Sequence, residues 1–240
     1  MAIDGKREVV VKLPESGPSE RVAAVVDGVV AWFARHWLAT FNTLIGIFFI
    51  LPFLAPVFMH LGMTGVGHLI YVVYSPTCHQ LPERSYFLFG PQVTYTVPQL
   101  QTAGVLPPGL NILQIEALRW PGSPALGYKV AFCERDAAMW GTLLLAGLVY
   151  GGLRKRYQRQ GRRFPKLPLW GYALFLLPMA VDGFTQLFGW RESDWILRSI
   201  TGILFGIATV WLAYPYVQDA MDDVLRNTPQ RTAGGEVRPG

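Results

Sequence analysis

Charge-poor apolar runs alternate with short polar interruptions along this chain of 240 residues. Four runs, at about 37–59, 137–153, 167–188 and 196–216, approach the ~20 residues that an α-helix needs to cross a hydrocarbon core. The first holds no charged residue, and Pro52 and Pro56 in its outer half predict a kinked helix. Ahead of it, Val22, Val25, Val26, Val29, Val30, Trp32 and Phe33 recur at helical spacing around Asp27, Arg35 and His36. That pattern predicts an amphipathic helix over 21–36, lying at the inner surface and running into the first span. The stretch His68 to Tyr74 is apolar but too short to cross, which predicts a re-entrant or interfacial helix delivering Cys78 to the membrane surface. A crossing there would invert the topology of everything after it.

Residues 78–132 are rich in proline, glycine and aromatics. The alternation over 92–97 predicts a short strand, and Asn111 to Trp120 a short helix. The density of Tyr, Phe, Leu and Trp in so long a connection predicts a small ordered cap.

Composition narrows the class. Apolar residues make up 51% of the chain and charged ones 15%, a balance typical of helical membrane proteins and unusual for a soluble globule. The net charge of +5 does not spread along a binding face. Seven of the 21 basic residues fall between Arg154 and Lys166, with no acid among them. Between two apolar runs such a cluster reads as a cytoplasmic loop, and no nucleic-acid-binding motif accompanies it. With that loop inside, four spans leave both termini cytoplasmic, and segments 78–135 and 189–194 share the extracytoplasmic face of a cell (inner) membrane. The polar start lacks the pattern of a cleaved signal peptide, so the first span is expected to remain as an anchor. The fold class that follows is an all-α integral membrane protein. It has a disordered cytoplasmic tail over 1–20, the interfacial helix 21–36, a membrane domain over 37–217 with its cap at 78–132, and a cytoplasmic tail over 218–240.

The two cysteines give the outer face its candidate chemistry. Cys78-His79 sits on the connection, and Cys133 to Asp136 stands where the second span begins. One reading is metal ligation by Cys78, His79, Cys133 and Asp136 (or Asp182), a mixed sulfur, nitrogen and oxygen set that suits zinc and admits copper or iron. A second is a Cys78–Cys133 disulfide closing the cap. A third is a pair of free structural thiols. Asp182 and Gln186, one helical turn apart, share a face in the outer third of the third span. An acid there is costly unless paired or wet. Asp182 therefore serves chemistry directly, or pairs with Arg135, Arg191 or Arg198. The guanidinium forks of Arg84, Arg135, Arg191 and Arg198 suit a headgroup phosphate or carboxylate, although arginines at a membrane surface also take up lipid phosphate non-specifically. No phosphate loop, dinucleotide fingerprint, c-type haem motif or metalloprotease helix is present.

The motifs Cys78-His79-Gln80-x-Pro82-Glu83-Arg84-Ser85, Cys133-x-Arg135-Asp136, Asp182-Gly183-x-Thr185-Gln186-x-x-Gly189-x-Arg191-Glu192-Ser193 and Leu197-Arg198-x-x-Thr201-Gly202 occur in that order. Together they resemble the DUF2085 family of predicted multispan membrane proteins, over roughly residues 40–215. The resemblance implies the membrane fold and no activity. Many relatives carry a third cysteine where this chain has Asp136, so the resemblance makes a metal site natural while the chain itself offers a Cys/His/Cys/Asp set. Glu83, Arg84, Ser85, Arg135, Asp182, Gln186, Arg191 and Arg198 are the expected surrounding or substrate-contacting residues. Membrane lipids, a lipid-soluble substrate or further membrane subunits are the expected partners. A non-catalytic scaffold with a disulfide-closed cap is the alternative to a metal or redox site.

Overall fold

The computed structural model describes residues 18–227 and two short strands at 230–231 and 237–238. Most of the tail expected over 1–20 lies outside the described residues. Residues 38–219 form one compact unit, and the residues before and after them fall in a second.

Helix α1 runs without a break from Pro18 to His60, so the interfacial helix and first span expected from the pattern are one element. Pro52 and Pro56 sit inside it and are buried. In its first part Val22, Val25, Val29 and Trp32 are exposed, and the Trp32 and His36 rings stack at 5.0 Å. Helix α2 (Thr64–Tyr74) has 11 residues. At ~1.5 Å per residue it cannot reach across ~30 Å of hydrocarbon. Its aromatic face explains its position. Tyr74 donates to the Phe48 carbonyl of α1 at 2.9 Å, and its ring lies 5.2 Å from Phe132. Tyr71 donates to the Lys129 carbonyl at 2.5 Å.

The connection after α2 contains a three-stranded antiparallel sheet in the order β1 (Ser85–Leu88), β3 (Gly127–Cys133), β2 (Gly122–Ser123). Ser85 pairs with Cys133, which draws the first cysteine motif onto the second. Two short helices, α3 (Val97–Thr102) and α4 (Ile112–Ala117), pack around a core of Leu81, Phe87, Tyr95, Leu100, Leu106 and Ile115. The helix expected at 111–120 is therefore present, capped by Asn111, whose side chain accepts from the Gln114 N–H at 3.0 Å. The strand expected at 92–97 is absent. The Phe87 N–H does reach the Val93 carbonyl at 2.7 Å, but Thr96 and Gln99 form a capping box and Pro98 opens the first turn of α3. Helix initiation overrides the short alternation there.

Three long helices follow: α5 (Glu134–Arg159), α6 (Leu169–Leu187) and α7 (Trp195–Asn227). Part of the basic run, Arg154 to Arg159, completes α5, where cations suit the negative helix end. Helix α7 passes Pro215 and continues to Asn227, so the segment expected as a tail from 218 begins as helix. Gly202 and Gly206 let α7 approach α5, because a Cβ at these positions would stand 2.6 Å from the Arg135 carbonyl oxygen and 2.8 Å from Thr142 Cβ. Among the described residues three helices are long and apolar enough to cross a membrane: Arg21–His60, Glu134–Arg159 and Trp195–Asn227. Helix α6 falls outside that set, since Asp182 and Gln186 dilute its 19 residues.

Candidate functional site

One end of the bundle gathers the polar motifs. The start of α5, the end of α6 and the start of α7 meet there, joined by two ion-pair groups. Glu134 on α5, 1% exposed, accepts from Arg198 of α7 at 3.0 Å. Asp182 on α6, also 1% exposed, pairs with Arg135 of α5 and, at 2.6 Å, with Arg191 of the turn after α6. Gln186 and Ser193 donate to its Oδ2 at 2.9 and 3.1 Å. Of the three arginines expected as alternatives, Arg135 and Arg191 take Asp182, and Arg198 takes Glu134. Every oxygen of Asp182 is engaged, which gives it a tethering role.

The cysteines lie beside this network. Cys133 ends β3 and caps α5, its sulfur receiving the Asp136 N–H at 3.4 Å. Its own N–H donates to the Cys78 sulfur at 3.1 Å. Both are free thiols. The sulfurs of Cys78 and Cys133 and a carboxylate oxygen of Asp136 all lie within 4.8 Å of one another. Three ligands around a tetrahedral zinc stand roughly 3.5–4 Å apart, so small side-chain adjustments close this set on an ion. The hydrogen bond to Cys78, followed by burial, pushes the Cys133 thiol well above the usual range. A metal ion reverses that tendency by taking the thiolate.

His79 stands apart from the three ligand atoms. Its side chain is 71% exposed, and its Nε2 lies 3.9 Å from a carboxylate oxygen of Glu116. It nonetheless lines a cavity of about 340 Å³ together with Cys78, Cys133, Asp136, Arg84 and Arg135. Ser85 is fully buried and donates to the Leu81 carbonyl at 2.9 Å, a turn-forming role. Glu83 and Arg84 flank it. Their side chains approach at 3.9 Å, while Glu83 Oε2 and Arg84 Nε are buried with no hydrogen-bond partner.

Two further residues of this region lie outside the assigned positions of the motifs. Glu134 occupies the unassigned position of Cys133-x-Arg135-Asp136, and its neighbours were the signal. Lys129 is the single charge in the apolar strand Tyr128 to Phe132. It is 3% exposed, and its ammonium donates to the Gln80 carbonyl. Burial lowers its pKa to about 8, against the opposing pull of Cys78 and Glu83. The unfolded chain holds that proton up to about pH 10.5, so this lysine costs stability below pH 8 and the cost fades as pH climbs from about 8 to 10.5. Lys129→Met is expected to flatten that rise. Thermal unfolding of both proteins in detergent at pH 7.5 and 10 reads it, and equal pH slopes would refute it.

Known proteins match this chain in two ways. The family described as "Predicted membrane protein (DUF2085)" matches residues 125–212, which hold Cys133, Asp136, Asp182 and Arg198. An uncharacterised protein of Methanocaldococcus jannaschii is 31% identical over 175 residues, covering 70% of this chain and 85% of the relative. No solved structure matches. With motifs, helices and relative in agreement, the chain belongs to the DUF2085 family of predicted membrane proteins.

Proposed function

We propose that this is a multi-pass protein of the cell (inner) membrane that holds a metal ion at its extracytoplasmic face through Cys78, Cys133 and Asp136. The observation that carries this reading is the gathering of two free thiols and a carboxylate within 4.8 Å. Zinc fits two sulfurs and one oxygen, copper or iron being the other candidates, and a fourth position stays open for water, substrate or His79 from the same cavity. In this reading α6 crosses as a fourth span, its acid shielded by Arg135 and Arg191, and both termini are cytoplasmic. Support comes from the basic run at the far end of α5, which the positive-inside rule assigns to the cytoplasm.

Elemental analysis of protein purified in detergent, paired with thiol alkylation under non-reducing conditions, tests the site. The expected result is about one metal ion per chain, lost in Cys78→Ser and in Cys133→Ser. Stoichiometric Cys78–Cys133 disulfide without metal would overturn it and favour a scaffold whose outer cap the disulfide closes. The Cys133 N–H to Cys78 sulfur contact brings the thiols near enough for that alternative. Topology has its own check. A cysteine placed at exposed Gln101 is expected to react with an impermeant thiol reagent from outside the cell, and one at exposed Gln160 is not. The reverse labelling pattern would place the site on the cytoplasmic face.

A further inference from the structure

The 340 Å³ cavity at the cysteines does not stand alone. Arg84, Gln186 and Arg198 line both it and a neighbouring cavity of about 970 Å³. The two compartments differ in chemistry. In the smaller one the charged lining is Arg84, Arg135 and Arg198 against one acid, Asp136. The larger one adds apolar side chains from the connection, Val97, Leu110, Leu113 and Ile115, and Trp195 from the start of α7. It also carries acids: Glu134 is held by Arg198, Asp194 accepts the Leu197 N–H at 2.7 Å, and Glu83 and Glu192 line it beside Arg84, Arg191 and Arg198.

Arg135 and Arg198 are likewise committed to Asp182 and Glu134. Arg84 is different. Its Nε lies 3.9 Å from a carboxylate oxygen of the adjoining Glu83, too far for a hydrogen bond, and makes none elsewhere. Arg198 also leaves its Nε buried and unpartnered. Burial, and then repulsion from Arg198, lower the pKa of Arg84 against the opposing pull of Glu83. Arg84 and Arg198 both line the space that the two cavities share, and each keeps a guanidinium N–H without a hydrogen bond, which is expensive for a buried donor. Glu83, which lines the larger cavity and whose Oε2 has no hydrogen-bond partner, is a matching acceptor for a hydroxyl.

We infer that the paired cavities bind a phosphate ester, with its phosphate between Arg84 and Arg198 and a hydroxyl-bearing or apolar remainder in the larger compartment. A phosphodiester brings one negative charge, which the guanidinium forks of Arg84 and Arg198 suit. The cavities lie at the ends of helices long and apolar enough to cross a membrane, where a phospholipid headgroup supplies that chemistry. A soluble phosphate ester would supply it too. The inference uses the place of the proposed metal site and stands whether or not the three ligands hold an ion.

The test is binding of phosphatidylglycerol to delipidated protein in uncharged detergent, read by native mass spectrometry. Glycerol phosphate and inorganic phosphate serve as separate probes. One saturable phosphatidylglycerol per chain is expected, with affinity falling about tenfold or more in Arg84→Gln, partly restored in Arg84→Lys, and unchanged in Arg162→Gln on the basic run. Leu113 lines the larger cavity and is 73% exposed, so Leu113→Trp adds bulk to that lining without disturbing the core. It is expected to weaken the lipid and spare inorganic phosphate, which keeps the test decisive if Arg84→Gln fails to fold. Cys78→Ser is expected to lose metal and keep the lipid, which separates this inference from the metal reading. Saturable binding of glycerol phosphate that needs Arg84 would assign the site to a soluble ester. Binding of no probe, or equal loss in Arg84→Gln and Arg162→Gln, would overturn the inference.

Discussion

Asp182→Ala is expected to destabilise the protein by about 3–5 kcal/mol, the cost of removing one partner from a buried charge network. Asp182 is 1% exposed and receives hydrogen bonds from Arg135, Gln186, Arg191 and Ser193, which belong to α5, α6 and the turn after α6. Alanine strands these donors unequally. Arg191 is 41% exposed and can turn towards water or a headgroup, so its share of the loss is screened. Arg135, at 25%, has less freedom, and its Nε already lacks a partner. Asp182→Asn keeps the shape and some acceptor capacity and should cost less, about 1–3 kcal/mol. Thermal unfolding in detergent, with helical content followed by circular dichroism, measures both. A loss below ~1 kcal/mol for alanine would show that the network is solvated and that the tethering role is wrong.

The second large effect concerns Glu134 and Arg198, 1% and 9% exposed and joined at 3.0 Å. Glu134→Ala leaves a guanidinium in the bundle with no carboxylate, and a loss of about 3–5 kcal/mol is expected. The double variant Glu134→Leu with Arg198→Met removes both charges and keeps the volume. It is expected to be more stable than either single change and within ~1–2 kcal/mol of the unmodified protein, because desolvating two ions offsets most of their attraction. Additive losses in the double variant would mean that each residue acts through some other contact, such as that of Arg198 with the Glu83 carbonyl at 3.4 Å.

Much of the membrane domain was legible as a pattern. Charge-poor runs announced the helices α1, α5, α6 and α7, of which α1, α5 and α7 are long and apolar enough to cross, because apolar length is a local property of a segment. The short helix near Asn111 was equally local, set by its cap and a following apolar turn. Long-range choices were not legible. The pairing of Ser85 with Cys133 depends on a register that no periodicity records, yet it brings the cysteines together. Asp182 had three arginines within plausible reach, and only the arrangement of three helix ends gives Arg198 to Glu134 instead. His79 adjoins Cys78 in sequence, but its Nε2 lies 3.9 Å from a carboxylate oxygen of Glu116, a placement set by the loop and α4 and recorded by no motif. Pro215 looked like an exit from the last span and is housed, buried, within α7.

Four successive residues at the head of α5 are committed in three directions: Cys133 and Asp136 to the thiols, Glu134 to α7, Arg135 to α6. Neighbouring positions on a helix are turned by about 100°, so the head of α5 works as a key with several wards. Rotation of α5 by one residue, through an insertion or deletion between β3 and α5, would release every one of these partners together. The site can vary in the chemistry of a single tooth but not in its phase.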